Sequence, residues 1–295
     1  MALTKEQMAQ LADFQYKYDV VDVPDLLYHY TRFDIADLIL SSEGINFRLT
    51  EINSFLDVTE GRLIQAYYEI ALHNLLNKKV ITSCEYDRLI CIDVPEKTLI
   101  ISDKKIGSSC ECRVYVGCFS TIGQDEYMNE NYIKNEGYKG YCLQIPSWIL
   151  KNHFDRRGIA LGCRYSLSPI IYGSRIVDEI EKYLADAKSI CHEFSNEVMI
   201  KAMNTLIRER LFNMRPITKL DRYRKENEVR LIVYLPKHSD NTVGCPDFIN
   251  KVDEDHIEMC FDKHLYGLFP HNVPKKEHDG FLKELQKRGY PSIAL

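Results

Sequence analysis

The charged residues of ENEVRLIVYLP, residues 226–236, fall at alternate positions before and within an apolar run. Side chains two residues apart share one face of a β-strand, so Glu226, Glu228 and Arg230 are predicted to lie on one face, opposite the apolar side chains. Two carboxylates beside a guanidinium can stabilise a developing cation and activate a nucleophile. They can equally form a solvated ion pair, and composition alone favours that structural interpretation.

A second polar cluster occurs in LYHYT, residues 27–31, where a strand-like segment gives way to a helical one. His29 stands between Tyr28 and Tyr30 and is followed by Thr31. An imidazole flanked by two phenol rings can hold a flat, polar ligand. The same rings can also pack in a core, and a histidine at the end of a strand more often has a structural role. The residue types leave both interpretations open.

The apolar periodicity predicts the elements that position these clusters. Alternation and runs of β-branched residues indicate strands, and three-to-four spacing indicates helices. The expected strands are residues 45–50, 87–94, 98–102, 113–120, 139–146, 159–166, 229–236, 256–261 and 290–295. The expected helices are residues 1–20, 34–40, 59–76, 177–211 and 275–289, with Gly44 and Gly289 as left-handed stops, and residues 121–138 are expected to form a long loop.

The order of these elements predicts an α+β fold, because strands dominate the middle of the chain without regular βαβ alternation. The sequence contains no Gly-x-Gly-x-x-Gly and no P-loop motif, so neither of those nucleotide sites has support. We also find no internal repeat and no evident linker. Residues 1–25 are therefore expected to form a helical extension, and residues 26–295 a single domain.

Composition excludes several classes of protein. The 295 residues carry a formal charge of −5 and are 45% hydrophobic, which is typical of a globular chain and not of a strongly basic nucleic-acid binder. No apolar run approaches the ~18 residues of a membrane span, and the N-terminus lacks the pattern of a secretory signal. We therefore expect a cytoplasmic protein with reduced thiols and no membrane contact.

Several motifs, in order, resemble a widespread family of bacterial and phage proteins of unassigned function. The segments that carry the resemblance are LYHYTRFDIADLILSSEGINFRLTEINSFLD (27–57), VGCFS ending at Ser120, NYIKNEGYKGYCLQI (131–145), ENEVRL (226–231) and the closing segment 265–295. The chain departs from the family pattern at two places. Asp57 and Glu60 stand without the family's Asn and Pro, and Met128 replaces an expected Trp.

The opening motif is also similar to the first motif of mono-ADP-ribosyltransferases, including DNA-targeting toxins and NAD-dependent RNA phosphotransferases. This resemblance implies an ADP-ribosyltransferase-like fold, with a split antiparallel or mixed sheet flanked by helices. It further implies that His29 holds an NAD ribose, that Ser120 or Tyr132 supports the nicotinamide, and that Glu228 is the main catalytic residue with Glu226 upstream. Because one NAD must touch all three positions, His29, Ser120 and Glu228 are expected to meet in one cleft.

The implied chemistry suits these residue types. Cleavage of the nicotinamide–ribose bond leaves an oxocarbenium-like cation that a fixed carboxylate at Glu228 would stabilise. Glu226 would orient or deprotonate the accepting nucleophile, and Arg230 would keep the carboxylates ionised, meet the pyrophosphate or act as a structural clamp. Changing either Glu to Gln is expected to leave the melting temperature nearly unchanged. The residues expected to contact NAD are Tyr28, His29, Tyr30, Thr31, Ser120, Tyr132 and Arg230.

The expected function is that of an NAD-dependent mono-ADP-ribosyltransferase, a toxin or phage-defence effector that modifies RNA, DNA or protein. Two alternatives stay open: a catalytically inactive module on the same fold that binds a nucleotide, nucleic acid or protein, and an NAD glycohydrolase. The basic run 215–225 permits a nucleic-acid acceptor without requiring one. An antitoxin or a chaperone is a further partner that the resemblance admits.

The cysteine spacing generates the first testable prediction. Cys110, Cys112 and Cys118 form the densest cluster but lack the second ligand pair of a usual zinc site. We expect all ten cysteines to be unpaired thiols and the cluster to bind no metal. Elemental analysis of the purified protein tests this, and stoichiometric zinc would contradict it.

Overall fold

The structure, a computed structural model, describes residues 3–19, 22–55, 57, 59–60, 62–94, 101–102, 109–133, 139–155, 164–194, 197–237 and 249–291. The chain divides into two compact units, and neither is continuous in sequence. The first unit comprises Met1–Asp22, Leu56–Ile100 and Ile171–Asp221, and the second comprises Val23–Phe55, Ile101–Ile170 and Arg222–Leu295. Both units draw on the range that was expected to form one domain.

The secondary structure is mixed, as the order of predicted elements indicated. The helices are α1 (Lys5–Asp19), α2 (Phe33–Ile39), α3 (Ile64–Asn77), α4 (Ser83–Leu89), α5 (Glu126–Met128), α6 (Ser147–Asp155), α7 (Arg175–Phe194), α8 (Glu197–Met214) and α9 (Lys275–Lys287). The strands are β1 (Leu26–Arg32), β2 (Ile45–Glu51), β3 (Ile101–Ser102), β4 (Ser109–Ser120), β5 (Gly140–Pro146), β6 (Arg164–Pro169), β7 (Ile171–Tyr172), β8 (Thr218–Lys219), β9 (Glu228–Lys237), β10 (Ile249–Lys251), β11 (His256–Phe261) and β12 (Gly267–His271). Within the described residues, no helix has the length and apolarity that crossing a membrane would require.

The first unit is helical and contains α1, α3, α4, α7 and α8, together with the parallel pair of β7 and β8. Helices α3 and α8 bury apolar side chains at three-to-four spacing, as their sequences predicted. On α8 the buried stripe includes Met199, Met203, Ile207 and Leu211. The expected segment over 177–211 is covered by α7 and α8, and residues 195–196 between them lie outside the described residues.

The second unit is built on a ten-stranded sheet whose pairs are all antiparallel. One path of strands runs β10-β11-β2-β4-β1-β5-β12, and β9 joins β4 to β6. Strand β4 pairs with β9 from Glu111 to Ser120. On its other edge β4 pairs with β2 at Val116 and Tyr115, and with β1 only at Ser120. The α+β class with a largely antiparallel sheet is therefore confirmed, and β1 and β2 diverge from a shared neighbour.

The two faces of this sheet are covered differently. One face carries the large core, in which α2, α6 and α9 contribute Ala36, Ile149 and Phe281 against strand residues such as Leu231. Burial of these side chains stabilises the unit by roughly 1.5–3 kcal/mol for each large residue. The other face carries a small cluster around Tyr30, to which α5 and the π-helical turn Asn129–Ile133 contribute.

Several predicted elements differ from the structure for local physical reasons. Residues 87–94 were expected to be a strand, but α4 occupies their first part because Thr82 and Glu85 form a capping box that starts a helix. Helix α3 begins at Ile64, five residues later than expected at residue 59. The expected loop 121–138 contains α5 and the π-helical turn. The expected strand segments 98–100, 159–163 and 292–295 lie outside the described residues.

The two glycines predicted as left-handed stops behave differently. Gly289 follows α9 with φ of +85°, so that prediction is confirmed. Gly44 is not among the described residues with positive φ, so the prediction of a left-handed Gly44 is wrong. Glycine is required at position 44 for steric reasons, because a Cβ there would lie 2.2 Å from the carbonyl oxygen of Phe261.

Alanine substitutions at two glycines separate these effects. We expect Gly44→Ala to lower the free energy of unfolding by about 1–3 kcal/mol, because the clash is with backbone of β11. Gly280→Ala is the matched control, since Gly280 lies inside α9 with nothing within 4 Å of its Cβ position. That variant should be more stable by up to ~1 kcal/mol. Chemical unfolding measures both, and equal effects at the two sites would contradict this packing account.

Candidate functional site

A row of side chains crosses four strands on the face of the sheet opposite the large core. Glu228 of β9 is paired with Ser120 of β4, Ser120 with Tyr28 of β1, and Tyr28 with Gln144 of β5. Residues directly opposite each other in antiparallel strands project from the same face. The pairing therefore brings Tyr28, Ser120 and Glu228 together, three of the residues that the sequence indicated. We call Glu228, Ser120, Tyr28 and Gln144 the polar row.

At one end of the polar row, Glu228 forms a buried ion pair with Arg230. The Arg230 Nε donates to Glu228 Oε1 at 2.5 Å, and the two side chains are 1% and 4% exposed. The guanidinium carbon also lies 5.3 Å from the ring centroid of Phe55. A buried, charge-assisted hydrogen bond of this kind orients the carboxylate firmly. Strand alternation predicted this shared face correctly, and Arg230 acts at least as a clamp on Glu228.

Glu226 contacts the polar row through its backbone, which is hydrogen-bonded to Ser120. The Ser120 hydroxyl donates to the Glu226 carbonyl oxygen at 2.8 Å, and it accepts from the Ile122 amide at 3.1 Å. Between the two glutamates, Asn227 adopts φ of +43°. This left-handed residue interrupts strand alternation, so the sequence spacing does not determine on which face Glu226 lies. The side chain of Glu226 is buried.

Tyr28 occupies the middle of the polar row and is half-buried. Its hydroxyl accepts a hydrogen bond of 3.0 Å from Gln144 Nε2. Gly123 lies against its ring, because a Cβ there would be 2.3 Å from Tyr28 Cε1. One side of the ring is thus covered by the turn that follows β4, which limits stacking on that side.

Tyr30 is on the same face but has a structural role. Its hydroxyl donates to the Ile122 carbonyl at 2.7 Å and accepts from the Asp125 amide at 3.0 Å. Burial raises the pKa of this phenol. The ring belongs to the small cluster that holds α5 on the sheet. Tyr30 therefore fixes the turn 121–125, the same turn that covers Tyr28.

His29 lies on the opposite face from the polar row, so the expectation that His29, Ser120 and Glu228 meet in one cleft is wrong. Its ring centroid is 5.0 Å from that of Phe47 and 5.7 Å from that of Phe119, two residues of the large core. The reason is alternation along β1: the register that places Tyr28 beside Ser120 turns the next side chain to the other face.

The position of His29 explains what its ring does. Its Nδ1 lies 3.1 Å from the carbonyl oxygen of Cys118, on the edge of β4 where β1 and β2 diverge. Since a carbonyl only accepts, Nδ1 carries the proton. Burial lowers the pKa of the imidazole below its ordinary value, so the ring is neutral at pH 7. His29 thus satisfies a backbone acceptor at the split in the sheet, which is the structural role that the sequence left open.

Two further predicted contacts lie outside the polar row. Thr31 is buried and shares the face of His29 by alternation. Tyr132 lies on the π-helical turn and not on a strand, and it is 43% exposed, so Ser120 occupies the middle position. The residues that sequence reasoning missed are Gln144 and Phe55. Gln144 had a signal, since it is the lone amide in the apolar strand YCLQI.

The basic run 215–225 exposes fewer of its cations than the sequence indicates. Arg215 and Lys219 are buried, with Lys219 lying 3.4 Å from Glu60. Arg222, Arg224 and Lys225 are exposed. Thus only part of the run offers cations to a polyanionic partner.

Comparisons with known protein families, with curated proteins and with solved structures find no match. Among the described residues, no group of three or more histidine, cysteine or acidic side chains is arranged to hold a metal ion. The interpretation of the polar row therefore depends on its own geometry.

A His29→Phe variant tests the structural role of this residue. The new ring would keep contacts with Phe47 and Phe119 but leave the Cys118 carbonyl without its donor, which costs about 1–3 kcal/mol. Because the folded-state pKa of His29 is lowered, the unfolded chain binds the proton more readily. The contribution of His29 is therefore fully present above pH ~6.5 and is lost as the pH falls below it.

The measurement is chemical unfolding of both proteins at pH 7.5 and pH 5.5. The stability difference between wild type and variant should shrink at the lower pH. An equal difference at both pH values, or none, would contradict a neutral, donating imidazole.

Proposed function

We propose that this chain is an NAD-dependent mono-ADP-ribosyltransferase, a toxin or phage-defence effector, in which Glu228 is the reacting carboxylate. The observation that supports the proposal is the register of the polar row. It aligns a first-strand aromatic, Tyr28, with a middle-strand hydroxyl, Ser120, and a late-strand carboxylate, Glu228. The resemblance implies these three roles, except that the first-strand position is Tyr28 and not His29.

In this proposal Glu228 stabilises the positive charge that develops on the ribose as nicotinamide leaves. A preorganised carboxylate is most effective when it does not need to reorient, and the bond from Arg230 holds Glu228 in one orientation. Ser120 holds the backbone of Glu226 through its hydroxyl, two residues before the reacting Glu228. Tyr28 provides the aromatic ring that contacts NAD, and Gln144 holds the Tyr28 hydroxyl in place.

The burial of the ion pair changes one expectation drawn from the sequence. A Glu228→Gln change removes the carboxylate charge that the buried Arg230 contacts, and loss of one member of a buried pair costs about 3–5 kcal/mol. The melting temperature should therefore fall, in contrast to the small effect expected for a solvated glutamate. A test of catalysis at Glu228 therefore requires a variant that keeps the carboxylate charge beside Arg230, or one that removes both charges of the pair.

A second candidate is the catalytically inactive module on the same fold. Two observations favour it: His29 is engaged with backbone and core rings, and the Glu228 carboxylate is occupied by Arg230. Such a module would bind a nucleotide, nucleic acid or protein without cleaving NAD. An NAD glycohydrolase differs from both, since it would release nicotinamide without modifying an acceptor.

One assay distinguishes the three candidates. Purified protein is incubated with labelled NAD and cell lysate, and nicotinamide release is measured beside label in the protein, RNA and DNA fractions. A transferase gives both signals, a glycohydrolase only nicotinamide, and an inactive module neither. We expect both signals from the wild type.

Variants then assign the carboxylates. Glu228→Asp keeps the charge beside Arg230 but withdraws the carboxyl group, and the double change Glu228→Gln with Arg230→Met removes both charges. Each should reduce both signals about a hundredfold or more, the equivalent of ~3 kcal/mol of transition-state stabilisation. Glu226→Gln should reduce transfer more than nicotinamide release.

Glu258→Gln is the matched control, because Glu258 is a partly exposed carboxylate on β11 that contacts Arg48. It should retain full activity. If folded Glu228→Asp also retains wild-type activity in both assays, Glu228 is not the reacting residue.

A further inference from the structure

The helical unit contains a cavity of about 230 Å³ between α4, α7 and α8. Its wall is mainly apolar and includes the buried residues Leu184, Met203 and Ile207. An apolar cavity of about 150 Å³ accommodates benzene, so this one has room for about ten heavy atoms. None of its residues belongs to the polar row, so binding at this cavity is independent of the proposed transferase activity.

Three charged side chains contribute to the wall, and two of them neutralise each other. Lys188 donates to Glu85 Oε2 at 2.9 Å and to the Val80 carbonyl at 2.7 Å. Burial raises the pKa of Glu85, but hydrogen bonds from Thr82 and the contact with Lys188 outweigh it and lower the pKa overall. Glu85 is therefore ionised and forms a satisfied pair with Lys188.

Arg88 supplies the charge that is left over. Its Nε donates to the Cys84 carbonyl at 3.3 Å, and no carboxylate within 4.0 Å is found for it among the described residues. The wall thus carries a net charge of about +1, since Arg88 and Lys188 face one carboxylate. A cationic ligand would be repelled here, and the exposed guanidinium of Arg88 is accessible to an anionic one.

Asn204 adds a second polar group from α8. Its side-chain amide has no hydrogen-bond partner within the part of the chain that the structure describes. An amide and a guanidinium on the wall of an otherwise apolar cavity are the donors that orient a carboxylate. Both groups belong to the helical unit, so the arrangement is contained in one compact body.

We propose that this cavity binds a small organic monocarboxylate with an apolar body of roughly ten heavy atoms in total. The apolar part packs against Leu184, Met203 and Ile207, and the carboxylate accepts hydrogen bonds from Arg88 and Asn204. The site is a ligand-binding site and no covalent step is involved. Phenylacetate matches this description in size and charge and is a suitable probe.

Isothermal titration calorimetry of the full chain with phenylacetate tests the proposal, with neutral phenylacetamide and 2-phenylethylammonium as comparison probes. We expect saturable binding of phenylacetate at one site, about tenfold tighter than binding of the amide, because the hydrogen bonds are charge-assisted. The ammonium probe should not bind. Equal affinity for acid and amide, or no saturable binding of phenylacetate, would overturn the proposal.

Two variants locate the site. Arg88→Met should weaken phenylacetate binding to the level of the amide, while Arg208→Met, an exposed cation on α8, should leave it unchanged. Ala187→Phe should fill the cavity and abolish binding, with thermal unfolding showing that the variant is folded. Unchanged binding in either Arg88→Met or folded Ala187→Phe would place the ligand elsewhere and reject this site.

Cys191 provides a readout that is independent of calorimetry. It is a free thiol on the cavity wall, and burial raises its pKa to about 11. Saturating phenylacetate should slow its alkylation several-fold, whereas alkylation of the exposed Cys91 should not change. Peptide mass spectrometry measures both rates in the same sample. Equal slowing at both thiols, or no slowing at Cys191, would contradict occupation of the cavity.

Discussion

The strand β4 imposes the constraint on which the sheet unit and its polar row depend. On one edge β4 is paired with β9 from Glu111 to Ser120, while β2 and β1 share the other edge. Strand β1 reaches β4 at a single pair, Tyr28 with Ser120, and that pair decides which side chains of β1 face Glu228. Where β1 and β2 diverge, the His29 side chain donates to the Cys118 carbonyl. The pairing of Tyr28 with Ser120 thus places Tyr28 in the polar row and His29 on the opposite face of the sheet.

The buried pair of Glu228 and Arg230 links this architecture to chemistry. A carboxylate held by a guanidinium at a strand start is oriented before any substrate arrives, which is what stabilisation of a developing cation requires. The same pair would also serve a purely structural purpose, because buried ions need partners. The transferase and the inactive module therefore share one structure and differ in whether the Glu228 carboxylate reacts. The carboxylate-binding cavity of the helical unit is compatible with both.

The sequence predicted correctly the features that depend on a local repeating pattern of residues. Alternation in β9 predicted the shared face of Glu228 and Arg230, and periodicity with a C-terminal glycine predicted α9 and its stop at Gly289. A local pattern does not determine an outcome that depends on a single residue or on a distant strand. The left-handed backbone of Asn227 breaks the spacing that related Glu226 to Glu228. The face occupied by His29 depends on pairing between strands 89 residues apart, which no local pattern encodes.

The central claim is that NAD reacts on the face of Tyr28, Ser120 and Glu228. The most direct measurement is a crystal structure of the folded Glu228→Asp variant with bound NAD, in which slow cleavage preserves the dinucleotide. We expect density for the nicotinamide ribose beside residue 228, on the Tyr28 side of the sheet. A dinucleotide bound on the His29 side, or no binding by a folded variant at saturating NAD, would contradict this claim.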